Sequence, residues 1–229
     1  MQQLPLDIRL ADYALFETFY DGPNGEPVHA LRNILKSGHF AVLWLWGATD
    51  TGKTHLLQAA VNAADGNEFR SAYLPLGAGF DLSPEVLEGL GDFDVICIDD
   101  VDAVAGDKVW EQALFRLFES LRQGQGRLVI AASESPLHSG FVLPDLVSRF
   151  SSGATFRLTQ LSDEDKLSAM QLRANWRGLE LSDDTARYLI SRVGRGCSQL
   201  FSLLDQLDRE ALTAQKKLTI PFVKAVLSK

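Results

Sequence analysis

Eight consecutive residues between a predicted strand and a predicted helix have the types and spacing of a phosphate-binding loop. The segment reads Gly-Ala-Thr-Asp-Thr-Gly-Lys-Thr and matches G-x-x-x-x-G-K-[ST] at each fixed position. Glycines let the backbone curl until successive N–H groups point at phosphate oxygens, while the lysine reaches the β and γ phosphates and the threonine hydroxyl binds Mg²⁺. This predicted nucleotide site consists of Gly47, Ala48, Thr49, Asp50, Thr51, Gly52, Lys53 and Thr54.

A second chemical group is the acidic end of an apolar strand further along the chain, where Val-Ile-Cys-Ile runs into Asp99 and Asp100. In a β-α-β order this strand ends beside the phosphate loop. We therefore expect Asp99 to hold Mg²⁺ through water and Asp100 to orient an attacking water. Either motif alone could be a chance match, and their order in the chain favours the functional interpretation. Asp102 is interpreted as a solvated loop acid.

The elements that must position these residues can be predicted from apolar periodicity. Strand-length apolar runs occur at Ala41–Trp46, 71–76, 94–98, Arg127–Ala132 and 154–158, and helical patterns at 53–64, 84–90 and 107–122. Alternation of this kind predicts an α/β fold, with a five-stranded parallel sheet and helices on both faces.

After about residue 160 no strand pattern occurs. Ser162 precedes three acidic residues, which favour a helix N-terminus, and Ser182 and Thr219 look like caps of later helices. An amphipathic pattern covers 198–214. The expected organisation is an extended N-terminal segment at 1–12, an α/β nucleotide-binding core at 13–160 and an all-helical lid at 161–229.

Composition narrows the class of protein further. The chain has 229 residues and a formal net charge of -8, from 30 acidic and 22 basic residues. Proteins that grip duplex DNA through its phosphates normally carry a basic surplus, so this balance argues against DNA as the main partner. Cys97 and Cys197 are too few for a disulfide framework, which fits a reducing compartment. No signal-peptide pattern or apolar run long enough to span a membrane occurs, so a cytoplasmic protein is expected.

Together these motifs resemble the AAA+ ATPases and, within them, the DnaA family of replication initiators. GKTHLLQAA at 52–60 and IDDVDAVAG at 98–106 are similar to motif blocks of that family, and FETFYDG at 16–22 is similar to its base-pocket segment. The resemblance implies ADP or ATP with Mg²⁺ as ligands. It also implies nucleotide contacts from Phe19, Tyr20 and His55.

The same resemblance implies roles for residues near the nucleotide. Arg149 aligns with the arginine finger, which acts in trans on the nucleotide of a neighbouring subunit; a surface arginine at a helix end is the alternative. Ser133 takes the sensor 1 position, where Asp or Asn is usual. The sensor 2 position holds Ser198 in place of arginine, with Arg195 one turn earlier. These departures predict weak hydrolysis of the protein's own ATP.

The N-terminus is similar to the peptide by which DnaA-related regulators bind the DNA polymerase III sliding clamp, although Asp7 and Ile8 depart from it. Its clamp-binding residues would be Gln3, Leu4, Pro5 and Leu6. No basic DNA-binding domain follows the lid pattern. The resemblance thus implies a regulator that binds the clamp and stimulates hydrolysis of ATP on DnaA, with weak or indirect DNA contact and a homo-oligomer as a further expectation. The alternatives are an autonomous ATPase of the helicase-loader type and, disfavoured by charge, a DNA-binding initiator fragment.

Overall fold

The computed structural model describes residues 14–77, 82–192, 196–214 and 217–227, which form two compact units. The first unit contains residues 14–16 and 24–158, and the second contains residues 17–23 and 159–227. The short segment 17–23 therefore belongs to the C-terminal unit. The predicted clamp-binding residues Gln3, Leu4, Pro5 and Leu6, and also Arg195, lie outside the described residues.

The first unit is built on a five-stranded sheet in which paired strands run parallel. The strands are β1 (Ala41–Trp46), β2 (Ser71–Pro75), β3 (Val95–Asp99), β4 (Arg127–Ala132) and β5 (Ala154–Arg157). Their order across the sheet is β2-β3-β4-β1-β5. Every residue of β3 and β4 is buried, because parallel strands are covered on both faces, and this explains their continuous apolar runs. The predicted parallel α/β fold is confirmed.

Helices in the first unit are α1 (Gly25–Lys36), α2 (Lys53–Asp65), α3 (Lys108–Gly124) and α4 (Pro144–Phe150). Short 3-10 turns of the chain lie at Phe16–Thr18, Gly22–Asn24, Pro84–Leu87, Leu90–Asp92 and Val101–Val104. Asp107 is the N-cap of α3, because its carboxylate accepts the N–H groups of Val109 and Trp110. The sequence pattern placed the start of this helix one residue early.

The helix predicted at 84–90 is wrong. The segment forms two 3-10 turns with Gly89 between them, and Gly89 has a φ of +82°. A left-handed residue ends a right-handed helix, and glycine adopts this conformation without a steric penalty. The apolar spacing that suggested a helix comes from residues such as Leu87, which packs into the core beneath α3.

The sheet is covered on both faces. Trp44, Ile96 and Ile130 pack with Phe118 of α3 in one buried cluster. On the opposite face α2 packs against β2, β3 and β4. The sheet therefore lies between α2 and α3. The loops that follow its strands carry the predicted site residues.

The second unit contains the helices α5 (Asp163–Trp176), α6 (Asp183–Arg192), α7 (Cys197–Ala214) and α8 (Ile220–Leu227). Leucines from α5, α6 and α7 form its apolar core. Ser162 caps α5 in a capping box with Asp165, and Ser182 accepts the N–H of Thr185 at the start of α6. The helical lid is thus confirmed. In the described part of the chain no helix is long and apolar enough to cross a membrane.

Candidate nucleotide-binding site

The phosphate loop begins at Gly47, the residue after β1, and its geometry requires glycine there. Gly47 has a φ of +149°, and a Cβ atom at this position would lie 2.6 Å from the carbonyl oxygen of Leu158. Its N–H donates to the carbonyl of Ala132 at the end of β4, at 3.3 Å. The loop is therefore fixed to two neighbouring strands at its first residue.

The rest of the loop curls through left-handed residues. Asp50 has a φ of 61° and Gly52 a φ of 91°. The Thr51 hydroxyl donates to the carbonyl of Ala48 across the curl at 2.9 Å. Gly52 is then the N-cap of α2, with no side chain capping the helix. The first N–H groups of a helix have no intrahelical acceptor and, with the helix dipole, form a binding site for phosphate oxygens.

Lys53 lies across the loop that precedes it. Its ammonium group donates to the carbonyls of Gly47 and Ala48, at 2.7 and 2.9 Å. These contacts place the positive charge within the curl of the loop, where a phosphate chain would be bound. Thr54 follows on the first turn of α2 and is exposed, so its hydroxyl is accessible to a metal ion.

Asp99 closes β3 and is only 2% exposed. Its Oδ2 accepts the phenol hydrogen of Tyr73 at 2.8 Å, and its Oδ1 accepts the N–H of Asp100 at 3.1 Å. Burial and the nearby negative charge raise the pKa of Tyr73, so the phenol remains a donor. A fixed carboxylate and the Thr54 hydroxyl are hard oxygen donors of the kind that Mg²⁺ prefers alongside water and phosphate. The residues present therefore fit the predicted ion.

Asp100 is held in an unusual backbone conformation, with a φ of 51°. A Cβ atom on Gly77 would lie 2.5 Å from its Oδ2, so the carboxylate rests against the glycine backbone. Partial burial raises the pKa of Asp100, the charges of Asp99 and Asp102 raise it further, and Lys53 opposes the shift. An acid with a raised pKa beside a phosphate loop suits a group that orients or deprotonates water.

Asp102 does not behave as the solvated loop acid that the sequence suggested. Its Oδ2 accepts both the N–H of Ser133, at 3.1 Å, and the Ser133 hydroxyl. Ser133 is the predicted sensor residue after β4, and its hydroxyl is directed to a carboxylate in this arrangement. The pairing links the loop after β3 to the loop after β4.

Arg149 lies near the end of α4, and its side chain is 41% exposed. Its Nε lies 2.9 Å from Oε1 of Glu119 on α3, and the other carboxylate oxygen of Glu119 pairs with Arg122. The two groups form an ion pair, but the N–H of Arg149 is not aligned with Oε1 of Glu119. This oxygen therefore accepts no hydrogen bond. Arg149 is thus partly exposed, whereas the carboxylate oxygen with which it pairs is buried.

A buried carboxylate fixes the start of α4. Glu111 on α3 is 1% exposed, and it accepts the N–H groups of Gly106, Val142 and Leu143 at 2.6 to 3.1 Å. Leu143 is the N-cap of α4. The first turn of α3 thus ties the loop after Asp102 to the helix that carries Arg149.

The remaining predicted contacts are distributed over both units. His55 and Asn62 of α2 contact the backbone just before the 3-10 turn at Phe16–Thr18. His55 Nε2 lies 2.9 Å from the Leu15 carbonyl, and the Asn62 amide donates to the Ala14 carbonyl at 2.8 Å.

Phe19, Tyr20 and Ser198 belong to the second unit. The Tyr20 hydroxyl donates to Oδ1 of Asp165 at 3.4 Å, and a Cβ atom on Gly22 would lie 2.8 Å from the Tyr20 ring. Ser198 is exposed on the first turn of α7. Within their own unit, the polar end of Tyr20 is thus directed to the start of α5.

Sequence reasoning missed residues that act through other side chains. These are Gln58, Tyr73, Gly77, Glu111 and Glu119. Each lies in an ordinary helix, strand or loop context, and no motif marks its partner. The glycine at position 77 could have suggested a crowded loop, but its pairing with Asp100 can be seen only in the fold.

Comparison with known proteins gives one family match and many structural ones. Residues 163–227 match the family model of the Hda lid domain. The structures include domain III of the replication initiation protein DnaA from Thermotoga maritima, at 23% identity and a TM-score of 0.79, which covers 96% of this chain and 98% of that one. DnaA from Aquifex aeolicus bound to AMPPCP has 23% identity and a TM-score of 0.68, over 87% of this chain and 66% of that one.

A third similar structure is the Holliday junction branch migration motor RuvB of Thermotoga maritima. It has 17% identity and a TM-score of 0.64, over 93% of this chain and 72% of that one. Likeness at such identities establishes a shared fold, so the core has the AAA+ fold. The matches confirm the predicted resemblance to DnaA-related AAA+ proteins, and the lid matches the Hda type.

Proposed function

We propose that this protein is a nucleotide-binding regulator of replication initiation that stimulates hydrolysis of ATP bound to DnaA. It binds ADP or ATP with Mg²⁺, docks on the DNA-loaded sliding clamp and presents Arg149 to the nucleotide of DnaA. Hydrolysis on DnaA then prevents re-initiation. The observation that carries this proposal is an Hda-type lid at residues 163–227 behind a core with a complete phosphate loop.

The nucleotide acts as a structural ligand in this proposal more than as a substrate. Backbone N–H groups of the loop and the Lys53 ammonium bind the phosphates, while Thr54 and Asp99 would hold Mg²⁺. The ion would neutralise phosphate charge when bound. Hydrolysis by the protein itself is expected to be slow, because serines stand at both sensor positions, Ser133 and Ser198.

Arg149 supports the proposed action in trans. Its guanidinium is partly exposed, and its contact with Glu119 is an ion pair near the surface. If Arg149 turned to a phosphate, Glu119 would keep Arg122 as an ionic partner. Arginine fingers contribute about 10³–10⁵ in rate by stabilising the charge of the transition state.

Clamp docking through Gln3, Leu4, Pro5 and Leu6 would supply proximity to DNA without DNA-binding affinity. An extended peptide with spaced apolar side chains and a proline suits a hydrophobic groove with a polar rim. A formal net charge of -8 fits indirect contact with DNA. The clamp and DnaA are thus the proposed partners, and association with a second copy of the chain is a further proposal.

The test follows hydrolysis of ATP pre-bound to DnaA in the presence of DNA-loaded clamp. Wild type is compared with Arg149→Ala and with Arg116→Ala, which removes an exposed arginine from α3 and serves as the matched control. A Gln3→Ala variant tests the clamp segment. We expect wild type to accelerate hydrolysis on DnaA when the clamp is present. The Arg149 variant should reduce this acceleration by at least about 10³-fold, and the Gln3 variant should reduce it less. The Arg116 control should accelerate hydrolysis like wild type.

The second candidate is an autonomous ATPase of the helicase-loader type. The observation that favours it is the intact catalytic set, in which Asp100 has a raised pKa beside Lys53. Rapid turnover of ATP by the isolated protein, with the ATP on DnaA left intact, would replace the regulatory proposal by this one.

A further inference from the structure

The phenol of Tyr73 lies between the two elements that carry the proposed Mg²⁺ ligands. Its hydroxyl donates to Oδ2 of Asp99 at 2.8 Å, and Gln58 of α2 lies close enough to lower the pKa of the same phenol. Asp99 ends β3, whereas Gln58 belongs to α2. Tyr73 thus joins the acidic strand to the helix that starts at the phosphate loop.

The spacing on α2 shows which face of the helix is near Tyr73. Gln58 follows Thr54 by four residues, and residues at that spacing lie on one face of a helix. Thr54 is the proposed hydroxyl ligand of Mg²⁺. The network therefore ties the face of α2 that carries one ligand to the carboxylate that supplies the other.

Only a long side chain can make this connection from β2. Tyr73 pairs with Cys97 in the strand register, two residues before Asp99. That offset is about 6.6 Å along a strand, which a phenol can span. Tyr73 and Asp99 lie on the same face of the sheet, because side chains alternate along each strand.

The carboxylate of Asp99 is fixed by donors on both of its oxygens. Tyr73 donates to Oδ2, and the N–H of Asp100 donates to Oδ1 at 3.1 Å. Because Asp99 is only 2% exposed, it depends on these donors more than an exposed carboxylate would. Buried charged acceptors depend strongly on such bonds for orientation and for retention of charge.

We propose that Tyr73 is a positioning residue for the divalent cation of the nucleotide site, acting through Asp99. This inference rests on the proposed nucleotide-binding function. In this proposal Tyr73 acts on the ion only through Asp99. It sets the orientation of Asp99, and hydrogen-bond partners of metal-ligating carboxylates typically change metal affinity by about 10- to 100-fold.

The test measures binding of a fluorescent ADP analogue to the full chain, first in EDTA and then across a Mg²⁺ titration. Tyr73→Phe keeps the ring and removes the hydroxyl. We expect its affinity in EDTA to equal that of wild type and its Mg²⁺ midpoint to rise by about 10-fold or more. Tyr188→Phe, which removes a phenol hydroxyl from α6 in the helical unit, is the matched control and should titrate like wild type.

A double-mutant comparison isolates the path through Asp99. Adding Tyr73→Phe to Asp99→Asn should cause no further shift of the Mg²⁺ midpoint, and thermal unfolding verifies that each variant is folded. A wild-type midpoint in Tyr73→Phe, or an additional shift in the double variant, would overturn the inference. Loss of nucleotide binding by wild type under both conditions would instead refute the proposed function itself.

Discussion

The phosphate loop and the acidic end of β3 belong to the same unit, but they are built from different atoms. In the loop, the working groups are backbone N–H groups and one ammonium, fixed by glycine conformations at Gly47 and Gly52. At the end of β3 the working groups are the carboxylates of Asp99 and Asp100. Both meet residues distant in sequence, because Tyr73 donates to Asp99 and the Asp100 carboxylate lies against Gly77; the neighbouring Asp102 accepts from Ser133 after β4.

This difference decides what a sequence can reveal. Eight adjacent positions encode the loop, so its motif can be read directly. The acidic end depends on which strands are neighbours, because β2 and β4 flank β3 in the sheet. It follows that the loop should respond to changes at motif positions, whereas the acidic end should respond to changes at residues that no motif contains.

The largest effect is expected at the loop. Lys53→Ala should weaken ADP binding by about 100-fold, equivalent to about 2.7 kcal/mol, because a charge-assisted contact with phosphate is lost. Binding of a fluorescent ADP analogue measures it. Lys36→Ala, at the exposed end of α1, is the control and should bind normally. Equal ADP affinity of the Lys53 variant and wild type would mean that the backbone N–H groups of the loop bind the phosphates without help from Lys53.

The next largest effect should come from a residue outside any motif. Glu111→Gln should lower the free energy of unfolding by about 2 kcal/mol, since a buried carboxylate that accepts backbone N–H groups becomes a neutral amide. Urea denaturation provides the measurement, with the exposed Glu88→Gln as control. If both variants unfold alike, Glu111 does not fix the loop before α4.

A smaller effect should separate hydrogen bonding from charge at Asp102. Asp102→Ala removes the acceptor for Ser133 and should cost about 1 kcal/mol of stability, whereas Asp102→Asn keeps an acceptor oxygen and should cost less. Ser133→Ala loses only the hydroxyl and should fall between them. Denaturant midpoints rank the three variants. Equal losses in the Asn and Ala variants would indicate that the charge of Asp102, and not its acceptor oxygen, matters.

The smallest effect is expected to be stabilising. The pKa of Asp100 is raised in the folded state, so stability falls as pH rises from the ordinary value of 3.8 through the folded-state value. Asp100→Asn removes that loss and should raise the unfolding temperature by about 1–3 °C at neutral pH. The gain should vanish below the ordinary carboxyl pKa, and scanning calorimetry across pH checks this. A gain that persists at acid pH would point to backbone conformation in place of charge.

Much of the fold could be predicted because its signals are local. β1 and β4 were predicted with their observed bounds, since buried parallel strands are continuous apolar runs. Ser162 marked the start of α5 through a capping box within four residues. The helix predicted at 84–90 is wrong for a reason that is equally local. Gly89 has a positive φ, which ends the helical pattern and which the neighbouring residues do not reveal.

The candidate site could be predicted only as far as its motifs reached. Asp99 was expected at the end of β3 and lies there, but its donor Tyr73 has no signature in the sequence. Asp102 was dismissed as a loop acid because its partner Ser133 follows a different strand. The roles of the individual site residues remain predictions that the experiments above can test.

The two hydrogen bonds from α2 to the backbone of Ala14 and Leu15 fix the point at which the N-terminal segment joins the phosphate-binding unit. Ala14 follows Leu6 by eight residues, and eight Cα–Cα steps of up to about 3.6 Å reach at most about 29 Å. In the proposed complex, a clamp that holds the N-terminal peptide would therefore confine the phosphate-binding unit to a small volume. Confinement on this scale corresponds to an effective concentration on the order of millimolar. In that complex Arg149 would stay close to the DNA that carries the clamp.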